Sequence, residues 1–225
     1  MFGKRTKGIL LALTVCDDPS QEAGFVEWYE KHLDDMLATG LCQRASLYDL
    51  VTPGTCEPYL AIYETDDPAR MARDLVPSIA QQAKDGLIHP AARALHRIVM
   101  ETMEPGIYPF PGKDLACPTG LLLMANNPKT PGTDDAFNAW YDNVHRLDIE
   151  ATGIYTTMNR FRAVEVGGDG VRYANLYETA LDDVSVALTG LDDFRPKWAE
   201  AGTLYADRVN TLRGAYRLHK SVSTG

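Results

Sequence analysis

The chain has no CxxC pair, and none of its four cysteines (Cys16, Cys42, Cys56, Cys117) has a histidine at zinc spacing. No metal site is expected from them, and free thiols in a reducing cytoplasm are the natural reading. Positive charge is scarce. Against 31 Asp and Glu there are 22 Lys and Arg, a formal charge of −9. The one basic cluster, Lys4-Arg5-Thr6-Lys7, reads as a solvated start. Without a basic stripe, a nucleic-acid backbone is not an expected partner. Long apolar runs are missing too. Those from Gly8 to Leu13 and from Gly120 to Ala125 have strand length, well short of the roughly 18 residues of a membrane helix. Asp17-Asp18 closes the first run without a small-residue cleavage site, which argues against a secretion signal. The chain also lacks GxGxxG, a phosphate loop, a GxSxG elbow and HExxH. Dinucleotide, nucleotide, serine-hydrolase and zincin chemistries thus lose their motifs.

What is there is a repeat. "GILLALT" from Gly8 matches "GLLLMAN" from Gly120. Phe25, Trp28 and Tyr29 match Phe137, Trp140 and Tyr141 at an offset of 112, and Ala38-Thr39-Gly40 matches Ala151-Thr152-Gly153 at 113. "YLAIYET" from Tyr59 matches "YANLYET" from Tyr173 at 114. Order is kept while the offset drifts by two residues, which is how a duplication looks. Between the halves lies "EPGIYPFPGKDLACP", Glu104 to Pro118, read as a proline-rich linker. The expected repeats are residues 1–111 and 112–225.

Each half reads as strand, helix, two strands, helical region, strand. Thr133 is a candidate N-cap with Asp134-Asp135 in the first turn, and Gly40 and Gly153 suit helix ends. The second helical regions span Asp67 to about Ala92 and Leu181 to about Asn210; strands over Leu95–Glu101 and Leu212–His219 close the halves. This βαββαβ order is the ferredoxin-like unit. Its sheet has helices on one face only, so two units are expected to pack sheet to sheet, making an α+β barrel within one chain.

"FNAWYDNVHRLDIEATGIYTTMNRF" followed by "YANLYET" resembles the dimeric α+β-barrel superfamily, in particular its EthD-like members. The resemblance spans both halves and is best in the second. It implies ligands held between sheet and helices. It leaves the chemistry open, since that superfamily holds cofactor-free monooxygenases, isomerases, cyclases, haem enzymes and proteins without an assigned reaction.

In the second half, Tyr141, His145 and Asp148 stand at i, i+4 and i+7, one face of an α-helix. Phe137, Trp140, Val144, Leu147 and Ala151 form the apolar stripe beside it. His145 is the candidate acid/base, Asp148 the group that orients it, and Tyr141 an oxyanion donor. A helix-surface hydrogen bond between His145 and Asp148 would produce the same pattern. His32 and Asp35 keep the H-x-x-D spacing in the first half, which is one residue shorter before its histidine. That slip turns the helix by about 100° against the aromatic pair. Either the helix turn absorbs the slip or the two pockets differ; since one copy of a duplicated unit often becomes scaffold, the second half is the expected working pocket. Candidate substrate contacts are Trp140, Arg160, Tyr177 and Glu178 in the second half, with Trp28 and Tyr63 in the first. Glu64 and Glu178 are read as bases or surface residues, and Arg160 and Arg162 as carboxylate binders or cross-strand partners. His96 and His219 are the histidines open to haem ligation.

The expectation is a cytoplasmic, cofactor-independent enzyme of lyase or isomerase type, moving a proton on an aromatic or unsaturated carbonyl metabolite. The alternatives are a cofactor-free monooxygenase and a non-catalytic small-molecule binder. The expected partner is a small molecule, not nucleic acid or membrane, and the chain is read as a monomeric pseudo-dimer or a homodimer.

Overall fold

Strand β1 (Gly8–Cys16) shows why this chain builds three apolar layers. Ile9, Leu11 and Leu13 point to one side, Leu10 and Ala12 to the other, and all five are buried. A strand apolar on both faces must be covered on both. The computed structural model, which describes residues 6–115, 118–167 and 170–224, supplies the two covers as a barrel interior and a layer of helices.

The first half contributes β1, α1 (Glu22–Ala38), β2 (Arg44–Leu50), β3 (Tyr59–Thr65), α2 (Pro68–Lys84) and β4 (Ala92–Pro109). The second contributes β5 (Gly120–Pro128), α3 (Asp134–Trp140), α4 (Arg146–Ala151), β6 (Thr157–Ala163), β7 (Tyr173–Thr179), α5 (Val186–Thr189), α6 (Arg195–Glu200) and β8 (Arg208–Ser223). All eight strands are antiparallel neighbours in one closed barrel, β1-β3-β2-β8-β5-β7-β6-β4. Each half has the same internal order, β4-β1-β3-β2 and β8-β5-β7-β6. Two separate sheets pressed face to face were expected. Instead β2 pairs with β8 and β4 with β6, because edge-to-edge pairing satisfies the amides that two open sheets would leave bare.

At eight strands the interior is just wide enough for side chains to fill. Leu11, Leu13, Leu60, Ile62, Leu121, Leu123, Leu176 and Tyr216 fill it. On the outside of the barrel, Phe25, Tyr29, Leu33 and Met36 of α1 pack against Tyr59 and Tyr63 of β3. In the second half Phe137, Tyr141, Ile149 and Trp198 of the helical segments pack in the same way against Tyr155 and Tyr177.

Local signals place the ends. Gly8 and Gly120 begin their strands where a Cβ would lie 2.5 Å from the Met100 carbonyl oxygen and 2.3 Å from that of Tyr216. Gly40 and Gly153 end their helices at φ +67° and +69°. Thr133 precedes α3 but does not cap it; its hydroxyl goes to Asp207 and the Thr130 carbonyl. The proposed linker begins too early. Strand β4 runs on to Pro109 and pairs with β6 across a register shift between Thr102 and Ile107. Proline is tolerated at such bulges and strand ends. The long second helix expected over 181–210 is broken into α5, a 3₁₀ segment Gly190–Asp193 and α6, with Pro196 in the first turn of α6. Cys117 and part of the Gly167–Gly170 turn lie outside the described residues.

Candidate functional site

The extra residue of the second half becomes a π-helical turn, Tyr141–His145, set between α3 and α4. Arg146 N–H reaches back five residues to the Tyr141 carbonyl. A π turn takes one added residue without unwinding the helix, and such turns cluster at functional sites. In α1 the Trp28 and His32 rings, four residues apart, stack at 4.8 Å and 22°. In the second half Trp140 and His145, five apart, stack at 4.5 Å and 18°. Of the two outcomes open for the slip, the turn absorbs it, and both halves keep the same tryptophan–histidine pair.

The turn also corrects the predicted face. Buried positions run Phe137, Trp140, Tyr141, His145, Ile149, while Leu147, assigned to the apolar stripe, is 49% exposed. One inserted residue moves everything after it around the helix axis. Asp148 is half-buried and makes no hydrogen bond or ion pair with His145 among the described residues. Its counterpart Asp35 lies 4.0 Å from His32 Nδ1.

His145 is enclosed. Trp140 covers its face, and Tyr141, Tyr177 and Trp198 meet it edge-on at 5.1, 6.3 and 5.9 Å. Its Nδ1 is buried with no hydrogen-bond partner. Burial first, then Arg208 and Arg160, lower its pKa to about 3, so the imidazole is neutral at pH 7. His32 is lowered to about 4, chiefly by burial, with Asp35 opposing.

A cavity of about 120 Å³ opens against His145, between sheet and helices. Met124 and Tyr177 form its strand side, and Ile149, Leu191 and Trp198 its helix side. Leu204, Arg195 and Arg208 complete it. The first half has a cavity of about 50 Å³ in the corresponding place, lined among others by Trp28, Tyr29, His32, Tyr63 and Arg97.

Of the predicted second-half residues, the structure brings His145 and Tyr177 to the cavity. Tyr141 stands behind His145, and its hydroxyl accepts a hydrogen bond from Asn126 Nδ2 at 2.5 Å. In the first half the matching pair is Tyr29 with Thr14, 3.0 Å apart. Tyr63 and Tyr177 set their hydroxyls against those of Tyr29 and Tyr141, and burial raises both far above the ordinary phenol range. They are hydrogen-bond donors at any working pH.

Trp140 backs His145 and donates its indole N–H to the Thr203 carbonyl at 2.6 Å; it does not line the cavity. Trp28 lines its own cavity and donates to the Leu87 carbonyl at 2.7 Å. Arg160, proposed as a substrate contact, is instead a pin for the π turn. It is 1% exposed, lies over the Tyr141 ring at 4.4 Å, and bonds Asp142 at 2.5 Å and Asn138 Oδ1 at 2.8 Å. Glu178 points away from this cavity. It sits on the strand face opposite Tyr177, buried, and accepts from the Thr157 hydroxyl at 2.7 Å. Glu64 is also buried, 3.5 Å from Arg44. Arg162 pairs with Glu101 on neighbouring β4 at 2.6 Å.

The cavity residues that sequence reasoning missed are Arg195, Trp198, Leu204 and Arg208. Arg195 and Trp198 do stand three apart, a helical spacing, but they were submerged in one long predicted helix. Arg208 opens β8, where only strand pairing brings it opposite Pro128.

Haem does not fit these residues. His96 Nε2 lies 3.5 Å from Glu57, and His219 has Asp49 on Nδ1 at 2.8 Å and Glu30 on Nε2 at 3.0 Å. The histidines that face cavities, His32 and His145, are stacked on tryptophan beside spaces of about 50 and 120 Å³, small beside the roughly 300–1,000 Å³ of ordinary cofactor pockets. Among the described residues no helix is long and apolar enough to cross a membrane.

Comparison with known proteins gives the fold a context. No family model matches the chain. Over 66 residues it is 41% identical to core atranone cluster (CAC) protein 1 of Stachybotrys chlorohalonatus, a stretch covering 28% of each protein. Among solved structures, an anthrone oxidase-like protein has TM-score 0.59 at 14% identity, covering 97% of this chain and 94% of that one. A candidate monooxygenase of Fusobacterium nucleatum has TM-score 0.56 at 10% identity, covering 99% and 97%. A haem-bound DypB variant of Rhodococcus jostii has TM-score 0.59 at 8% identity, covering 96% and 94%. These likenesses run the length of the chain at low identity: the protein has the dimeric α+β-barrel fold of these neighbours, closed within one chain.

Proposed function

We propose that the second-half cavity binds a small enolisable or phenolic carbonyl compound and that His145 takes a proton from it. The observation that carries this reading is the buried, neutral imidazole with an unpartnered Nδ1, bordering a mostly apolar cavity. A neutral imidazole is the form able to accept a proton. Its low basicity rises when an acidic group is bound against it, because the imidazolium then has a counter-ion. Tyr177, held protonated, can turn its O–H from the Tyr141 oxygen to the substrate oxygen on which charge develops. The tryptophan ring fixes the imidazole plane, a positioning role. A cavity of about 120 Å³ suits a single ring, since an engineered apolar cavity of about 150 Å³ holds benzene. In this reading the protein is a cofactor-independent isomerase, lyase or cyclase, built from two ferredoxin-like repeats, residues 1–111 and 112–225.

A second reading is supported by the anthrone oxidase-like and monooxygenase fold neighbours. The same deprotonation, giving an electron-rich carbanion, is a starting point for direct reaction with dioxygen. Both readings share their first step and one experiment separates them. One-ring probes such as phenylpyruvate are incubated in D₂O, with proton exchange followed by NMR and oxygen by an electrode. Exchange faster than the buffer rate and lost in His145→Gln supports His145 as the base. Oxygen uptake coupled to that exchange favours the oxygenase. Exchange unchanged by His145→Gln overturns the proposal.

A further inference from the structure

Two arginines, Arg195 and Arg208, line the second-half cavity, a third, Arg213, lies near enough to feel both, and their charge is poorly matched by the protein. Arg195 Nε lies 3.5 Å from Asp192. Arg208 has no ion pair or hydrogen bond among the described residues; its guanidinium lies over the Trp140 ring at 5.2 Å. Arg213 is beside Met124 in the β5–β8 register, and its Nε is buried with no acceptor. Arg195 and Arg208 both bear on Arg213, whose pKa is lowered by burial first and by these cations after it, with Asp192 opposing. Asp207, next in sequence to Arg208, is committed to Thr130 and Thr133. Like charges that act on one another in a partly dry site are unfavourable until an anion joins them.

The first half isolates the feature. Strand register places Arg97 beside Ala12 as it places Arg213 beside Met124, so that arginine is common to both halves. The partner of Cys16 is Ala92, where the partner of Pro128 is Arg208. The added cation belongs to the second half alone, together with the larger cavity.

From this juxtaposition we infer that the second-half cavity takes a small carboxylate, its apolar body against Ile149, Leu191 and Trp198 and its carboxylate on Arg208 and Arg195. This deepens the reading above by naming the class of molecule that the same cavity accepts. The planar guanidinium fork matches a carboxylate in two parallel hydrogen bonds. One ring's worth of space leaves the charged end at the arginines.

The test is binding, with a probe that does not react. Benzoate, its neutral isostere benzamide, and phenyl phosphate are titrated into the full chain by calorimetry. Benzoate is expected to bind at least tenfold tighter than benzamide, by a margin that shrinks as salt screens the pair. Arg208→Ala brings benzoate down to benzamide, Arg208→Lys keeps part of the preference, and Arg97→Ala, in the other cavity, changes nothing. Circular dichroism confirms that each variant is folded. Equal affinity for benzoate and benzamide, no benzoate binding at millimolar concentration, or an Arg208→Ala variant that keeps the preference would each overturn the inference. Phenyl phosphate preferred tenfold would do so as well, as would loss of binding in Arg97→Ala. Proton exchange plays no part in these titrations. A chain that discriminates benzoate yet exchanges no probe proton would sink the catalytic reading and leave this one standing.

Discussion

The two halves solve one packing problem in two ways, and the difference sits beneath the first helix of each. In the first half Leu47 and Ala61 lie under α1, fully buried and apolar. Strand register puts Arg160 and Asn175 in those places in the second half, 1% exposed each. Arg160 uses Asn175, Asn138 and Asp142 to satisfy its donors. Asp142 is itself part of the π turn. The inserted residue and the buried arginine therefore belong together: one distorts the helix and the other holds the distortion. An ion pair with its cation buried and its Asp142 carboxylate 28% exposed contributes little net stability against an apolar pair, yet stripping the buried guanidinium of its acceptor is costly. The second half gives up some ease of packing for a fixed geometry around His145.

The largest effects should come from breaking that pin and its apolar counterpart. Arg160→Ala empties a buried site and leaves the partly exposed Asp142 carboxylate without its cation, and is expected to cost about 3 kcal/mol in urea unfolding. Leu47→Ala at the matching place removes only packing and should cost about 2–5 kcal/mol. An Arg160→Ala variant within about 0.5 kcal/mol of the unsubstituted chain would mean the pin is not what holds the turn.

Acid sharpens the comparison next. Both histidines are held below their ordinary pKa, so the folded chain resists protons that the unfolded chain accepts. Stability is fully present above about pH 6.5 and falls as pH drops, by about 1.4 kcal/mol per unit for each histidine. The His32 contribution should end near pH 4 and that of His145 nearer pH 3. His32→Phe and His145→Phe, unfolded in urea at a series of pH values, should each remove one share of the slope.

Deleting Asn143, exposed within the π turn, gives the second half the spacing of the first. The variant should fold and keep its Trp140–His145 stack four residues apart, as Trp28 and His32 do, while losing the Arg160–Asp142 contact. NMR of the histidine ring protons, shifted by the indole, reads the stack; its loss would show that the turn is required for it. The smallest effect belongs to His219, which Glu30 first and then Asp49 raise above its ordinary pKa. Its stabilisation is present below the unfolded pKa and fades as pH rises through the folded one. Because the site is solvent-reached, His219→Gln should change stability by less than about 1 kcal/mol, seen in thermal melts at pH 6.

Several features were legible in the residues. Alternation in "GILLALT" and "YLAIYET" sets which side chains face the barrel and which face the helices, and Gly40 and Gly153 mark helix ends where φ is positive. These depend on chirality, period and sterics within a few residues, and so travel with the sequence. The candidate histidine was legible as well, since an imidazole at the edge of an aromatic stripe is a local pattern. The partner assigned to it was not. Asp148 shares a helix face with His145 by spacing, yet the same spacing in the first half brings Asp35 only to 4.0 Å from His32, so spacing alone does not make the bond.

What only the tertiary structure decided are the joins between distant segments. Closure of the barrel through β2–β8 and β4–β6 depends on edges far apart in the chain. So do the arrival of Arg208 at a cavity built around His145 and the pinning of residues 138–142 by Arg160. A one-residue insertion has no conformation of its own. It becomes a loop, a frayed turn or a π turn according to what packs against it, and here a buried guanidinium from the next strand chose the last.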